Sequence, residues 1–128
     1  KRLVPVFMDL ILREKIPIIF GDGKQTRDFI FVKDLVTFIV STINKKPNHS
    51  LFHLANGKQV SVNEIVELLQ EITGYTTFHY TDAIQGEVRD IVLDITLSQK
   101  ELGWSPSTSL LEGLKETWDW FTLCITTN

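Results

Sequence analysis

The chain has 128 residues, 43% of them apolar, and a formal net charge of −3. That length fits one domain with a real hydrophobic core and no need of staples. The charge excludes a polybasic nucleic-acid binder, and an anionic ligand would have to be held by a few local cations rather than by the overall field. A single cysteine, Cys124, leaves no disulfide framework and no Cys-rich zinc site within these residues and fits a reducing compartment. No apolar run approaches the roughly 18 residues needed to span a bilayer, and no secretory signal pattern is present, so the expectation is a cytosolic protein with no membrane partner. The sequence opens on Lys1-Arg2-Leu3-Val4-Pro5 without an initiator methionine, which reads as a piece of something longer.

Taken in chain order, Val6, Phe7, Leu10 and Ile11 recur at helical spacing and predict a helix over 4–15. Pro17 separates it from a β-branched run, 16–20, that predicts a strand. Gly21-Asp22-Gly23 predicts a tight, hairpin-like turn into a second strand over 28–32. A helix over 33–45 follows, with Leu35, Val36, Phe38, Ile39, Val40 and Ile43 expected inward, and then a strand over 51–55 ended by Asn56-Gly57.

Ser61-Val62-Asn63-Glu64 is a capping box that opens a helix stopped by Gly74. A strand is expected around 76–80 and a loop at 85–89. Asp94 is placed to cap a short helix over 95–102 that Gly103 closes. A second capping box, Ser109-Leu110-Leu111-Glu112, opens the last helix, whose apolar face is Leu110, Leu111, Leu114, Trp118 and Phe121. These alternating short elements predict a mixed α/β domain over residues 1–128.

The glycine turn is not a nucleotide loop. Thr26 stands where a dinucleotide fingerprint has its third glycine, and Gln25 follows Lys24 where a Walker loop needs Ser or Thr. Arg27 is the more informative residue. A guanidinium at the point where the turn re-enters a strand can offer a bidentate fork to a phosphate at low entropic cost. Its bland alternative is an ion pair with Asp28 or another carboxylate. Arg89, in the loop Gln85-Gly86-Glu87-Val88-Arg89, has the same two readings, with Glu87 or Asp90 as the structural partner. His49, His53 and His79 lack ligand spacing and read as structural. Cys124 has no local base, and no pair of carboxylates stands out as an acid and base.

Several stretches, in order, resemble the C-terminal part of the extended short-chain dehydrogenase/reductases, the NAD-dependent nucleotide-sugar epimerases and dehydratases. They are Val4-Pro5-x-Phe7; Gly21 to Phe29 with Val32-x-Asp34-Leu35-Val36; Phe52 to Gly57; Ser61 to Glu64; Gly86-Glu87-Val88-Arg89; Asp94; Leu102-Gly103-Trp104-x-Pro106; and Leu110-x-Glu112-Gly113-Leu114-x-x-Thr117-x-x-Trp120. The resemblance implies an α/β fold, a small mixed C-terminal subdomain that lacks the Rossmann half. These residues hold neither Gly-x-Gly-x-x-Gly nor Tyr-x-x-x-Lys, since Tyr75 is followed by His79 and Tyr80 by Ile84 at the lysine position. Hydride transfer is therefore not expected of this stretch alone. NAD(P) is expected in an intact parent enzyme and no cofactor in this chain.

What the resemblance carries over is binding of a nucleotide-diphosphate sugar. It implies that Arg27 contacts the diphosphate, that Arg89 closes over it from its loop, that Ile18, Ile19 and Phe20 face the base, and that Leu3 makes a contact ahead of Val4-Pro5. Many relatives carry an arginine two residues before the loop glycine, where this chain has Ile84. The Gln-Thr-Arg-Asp-Phe and Gly-Glu-Val-Arg wording is closer to 4-epimerases than to dehydratases. The rival expectation is a stand-alone nucleotide- or protein-binding module of the same ancestry. The fragment reading adds a further expectation: an apolar face meant for the Rossmann half, open to self-association.

Overall fold

A computed structural model describes residues 3–126, so Lys1 and Arg2, on which the sequence opens, lie outside the described residues. The elements are helices α1 (Leu3–Leu12), α2 (Val32–Thr42), α3 (Val62–Thr73), α4 (Thr96–Leu102) and α5 (Leu110–Thr126), with strands β1 (Ile18–Phe20), β2 (Thr26–Arg27), β3 (Val60–Ser61) and β4 (His79–Thr81). The strands form two separate two-stranded sheets. β1 pairs in parallel with β4, Ile19 opposite Tyr80, and β2 pairs antiparallel with β3, Arg27 opposite Val60.

The main core lies where α1, α3 and α5 meet over β1 and β3. Met8, Ile65 and Leu69 are its fully enclosed members, with Phe7, Ile11, Ile19 and Leu114 around them. A smaller cluster joins α2 to the segment after α4, with Phe38 edge-on to Trp104 at a centroid distance of 5.2 Å. The mixed α/β class and the order of helices are as the sequence predicts. The Ser61 box is intact: the Ser61 hydroxyl accepts from the Glu64 amide, and the Glu64 carboxylate accepts from the Ser61 amide at 2.8 Å. The Ser109–Glu112 pair repeats this arrangement ahead of α5.

Five expectations are corrected. The first helix ends at Leu12, three residues early, because Glu14 turns left-handed (φ 55°) and the Lys15 amide returns to the Leu10 carbonyl; Pro17 needs an extended residue before it. The glycine turn is no hairpin, since β1 and β2 belong to different sheets. No strand forms over 28–32; β2 is confined to Thr26–Arg27, ahead of that range. Asp28 instead spends its carboxylate on the amides of Asn56, Gly57 and Leu93, which ties the chain down without a ladder. Residues 51–55 are likewise not a strand; the His53 carbonyl is taken by the Ser98 hydroxyl at 2.6 Å. Finally, α2 buries Phe38 and Asp34, whereas Val32, Val36, Ile39, Val40 and Ile43 are all more than half exposed. A short helix lying on a small core has room for one inward stripe, and the second apolar stripe faces out.

Candidate functional site

The turn at 21–23 sets the site. Gly21 and Gly23 sit at φ 76° and 70°, backbone conformations that side chains resist. The turn is held from α3: the Asn63 amide donates to the Gly23 carbonyl at 2.9 Å, and the Asn63 side chain donates to the Asp22 carbonyl at 3.1 Å. Just beyond, the two-residue period of β2 puts Gln25 and Arg27 on one side and Thr26 on the other. Thr26 faces the loop that carries Arg89, bonding the Asp90 carboxylate through its hydroxyl at 2.8 Å and the Arg89 carbonyl through its amide at 2.9 Å.

Gln25 and Arg27 look into a cavity of about 910 Å³. Its floor is the first turn and a half of α1, from Leu3 to Phe7. β1 forms one wall, the Asp28–Ile30 segment another, and Ile84 and Glu87 reach in from the 82–94 loop. The alternation along β1 points Ile19 into the core (1% exposed) and leaves Ile18 and Phe20 at 47% and 43%. Among the described residues β1 pairs with a strand on one edge alone, and its Phe20 carbonyl accepts from the Gln25 side chain at 2.8 Å.

Arg27 is firmly held. One guanidinium nitrogen, Nη1, donates to the Thr26 carbonyl at 2.7 Å and to the Arg89 carbonyl at 3.1 Å, while Nη2 donates to Glu87 Oε1 at 2.8 Å. Its ion-pair partner is thus Glu87, not Asp28. Arg89 stands apart from the cavity lining, more exposed, with Nη2 3.2 Å from Asp22 Oδ2 rather than paired with Glu87 or Asp90. The Lys24 amide, and after it Arg89, hold the Asp22 carboxyl below the ordinary carboxylate range.

Leu3, Ile18, Ile19, Phe20 and Arg27 therefore share one cavity, and Arg89 reaches the same turn from outside it. Gln25, two positions from Arg27, lines the cavity from the same face of the chain, although nothing in the sequence marks it as a site residue. Glu87, which the sequence offers as a partner for Arg89, lines the cavity and pairs with Arg27. The glycine loop leads into strand β2 and not into a helix N terminus, so it offers no dinucleotide phosphate site. Among the described residues no group of three or more His, Cys, Asp or Glu side chains stands ready to hold a metal ion, and no helix is long and apolar enough to cross a membrane.

A family model described as GDP-mannose 4,6 dehydratase matches residues 1–117. The chain belongs to this dehydratase family. The match agrees with the motif resemblance to the C-terminal part of extended short-chain dehydrogenase/reductases. Among similar proteins, a UDP-glucuronate 4-epimerase of Thermodesulfobacterium geofontis is 35% identical over 89% of this chain and 36% of its own length. A crystal structure of a UDP-glucose 4-epimerase of Thermotoga maritima with UDP-glucose superimposes with a TM-score of 0.88 at 37% identity, covering 97% of this chain and 40% of that one. A UDP-glucuronic acid 4-epimerase of Bacillus cereus, in complex with UDP-glucuronic acid and NAD, gives 0.87 at 28% identity over the same shares. This member of the dehydratase family thus spans about two-fifths of the length of the relatives it matches.

Proposed function

We infer that these residues form the nucleotide-sugar-binding part of an NAD-dependent nucleotide-diphosphate-sugar epimerase, of the 4-epimerase kind. The observation that carries this reading is the placement of Arg27. A guanidinium, oriented by two backbone carbonyls, lines a cavity whose remaining walls, β1 among them, are largely apolar. A nucleoside diphosphate has the complementary parts. Its diphosphate fits the fork of Arg27, with Arg89 approaching from the 82–94 loop. Its base fits between Ile18 and Phe20, beside the edge of β1 that pairs with no strand among the described residues and where the Gln25 side chain already bonds the Phe20 carbonyl. Leu3 closes the floor.

In this reading NAD and the hydride-transferring residues sit on the part of the relatives' length that this chain does not match, as does much of the sugar's own contact surface. The exposed stripe of α2 is covered by that part in an intact enzyme and by a second copy when the 128 residues are alone.

The test is a titration of the purified chain with UDP, GDP and dTDP and their sugars, followed by backbone amide shifts. Saturable shifts at Ile18–Phe20 and Arg27 with one base, lost in Arg27→Ala, are expected. No shift at millimolar ligand would overturn the assignment of this cavity.

A further inference from the structure

Glu87 reaches into the cavity from a turn in which its amide returns to the Ile84 carbonyl at 3.2 Å and Gly86 takes φ 80°. Apart from its chain neighbours, nothing lies within 4 Å of where a Gly86 side chain would begin, so the crest of this turn is open. Two residues further on the chain is stitched down. The Thr26 amide donates to the Arg89 carbonyl, the Ile91 amide donates to the Thr26 carbonyl at 3.2 Å, and the Thr26 hydroxyl bonds Asp90. The backbone bonds that hold the loop thus begin at Arg89, two residues beyond Glu87.

The second observation concerns what Glu87 occupies. Arg27 has one nitrogen committed to backbone carbonyls and one, Nη2, facing the cavity. The Glu87 carboxylate sits on that nitrogen at 2.8 Å, with the two side chains 28% and 31% exposed. A carboxylate in this position has the charge and the planar oxygen pair of a phosphate edge. Arg27 does not need Glu87 to stay in place, because the Thr26 and Arg89 carbonyls orient it already.

We propose that Glu87 is an internal stand-in for the ligand's diphosphate: in the unliganded chain its carboxylate holds the Arg27 subsite, and a diphosphate binds by displacing it. Glu87 thereby sets how strongly an anion must compete for the site, favouring doubly charged diphosphates over singly charged groups. The bonds of Thr26 to Arg89, Asp90 and Ile91 keep the strand that follows Glu87 in place while the exchange takes place. This rests on the nucleotide-binding reading above for the identity of the ligand, but not for the existence of the competition.

The experiment measures inorganic pyrophosphate, UDP and uridine binding to the wild-type chain, Glu87→Gln, Arg27→Ala and the double variant by calorimetry. Glu87→Ser serves as a second removal of the charge, and an amide correlation spectrum checks each fold. An exposed ion pair of this kind is worth about a two- to fivefold change in affinity. Glu87→Gln and Glu87→Ser are expected to tighten pyrophosphate and UDP by about that factor, to leave uridine unchanged, and to have no effect where Arg27 is already alanine. Unchanged or weaker pyrophosphate and UDP binding in both Glu87 variants overturns the proposal, even if Arg27→Ala still abolishes UDP binding and so upholds the functional reading. Tightened pyrophosphate with UDP no better than pyrophosphate upholds the proposal and overturns the nucleotide reading. No binding of any probe to any variant overturns both.

Discussion

Asp34 and Thr108 are joined twice. Asp34 Oδ1 accepts from the Thr108 hydroxyl and Oδ2 from the Thr108 amide, each at 3.0 Å. Ser107 repeats the pattern with its hydroxyl at 2.9 Å and its amide at 3.3 Å. A buried carboxylate in the first turn of α2 thus gathers the chain just ahead of α5 and fixes the two helices relative to each other. Asp34→Ala strands those donors and is expected to cost about 3 kcal/mol in urea denaturation, with Asp34→Asn costing less because one acceptor survives. A loss below about 1 kcal/mol for the alanine variant would refute the role.

The same carboxylate carries a pH dependence. Burial by itself would raise the Asp34 carboxyl, but the Thr108 amide and the Ser107 and Thr108 hydroxyls outweigh it and hold the pKa below the ordinary 3.8. The Ser61 amide and hydroxyl hold Glu64 below 4.5 in the same way. A folded pKa lower than the unfolded one gives stability that is full above the ordinary value and is lost as pH falls through the folded one. The denaturation midpoint should therefore stay level down to about pH 5 and drop below about pH 4. Asp34→Asn should flatten the drop, and an equally steep drop in that variant would assign it to other groups.

Gly23 is the tightest point of the site's turn. A Cβ there would lie 1.9 Å from Asn63 Oδ1, at φ 70°. Asn63 would have to give up the Tyr80 hydroxyl, 3.0 Å from that oxygen, and its own bond to the Asp22 carbonyl. Gly23→Ala should cost roughly 2–4 kcal/mol. Gly21→Ala meets Ala83 alone, its Cβ at 3.3 Å and its Cα at 3.7 Å, and should cost less, about 1–2 kcal/mol, chiefly from its backbone. Thermal melts of the two variants check the order.

Glu14 is the one non-glycine residue with positive φ among those described. It occupies the left-handed position that ends α1, where glycine is the favoured residue. Glu14→Gly should raise stability by about 0.5–1 kcal/mol, read as a higher denaturation midpoint, and Glu14→Val should lower it.

The outer stripe of α2 predicts association. Val36, Ile39 and Ile43 follow one another at i, i+3 and i+7 on the exposed side. Sedimentation of the isolated chain should show concentration-dependent dimers or larger species. Ile39→Glu with Ile43→Glu should return it to monomer without loss of stability. A wild-type monomer at high concentration would exclude the contact.

Local chemistry is what the sequence by itself determined. Both capping boxes and the ends at Gly74 and Gly103 depend on residues within a few positions of one another, and short-range rules read them directly; the class of the fold follows from the succession of such local elements along the chain. Arg27 stands out on the same ground, as a cation entering a strand behind a glycine turn. Contacts between distant segments were decided only by the tertiary structure. Asp28 found its partners near positions 56 and 93, so a strand expected at 28–32 became a tethered loop. The two arginines took carboxylates some 60 positions away, Glu87 for Arg27 and Asp22 for Arg89, in place of their sequence neighbours. α2 has two apolar stripes of comparable strength, and which of them turns inward depends on where Trp104 and the residues around it come to lie. Periodicity reports that a face is apolar; the surface it covers is set by packing.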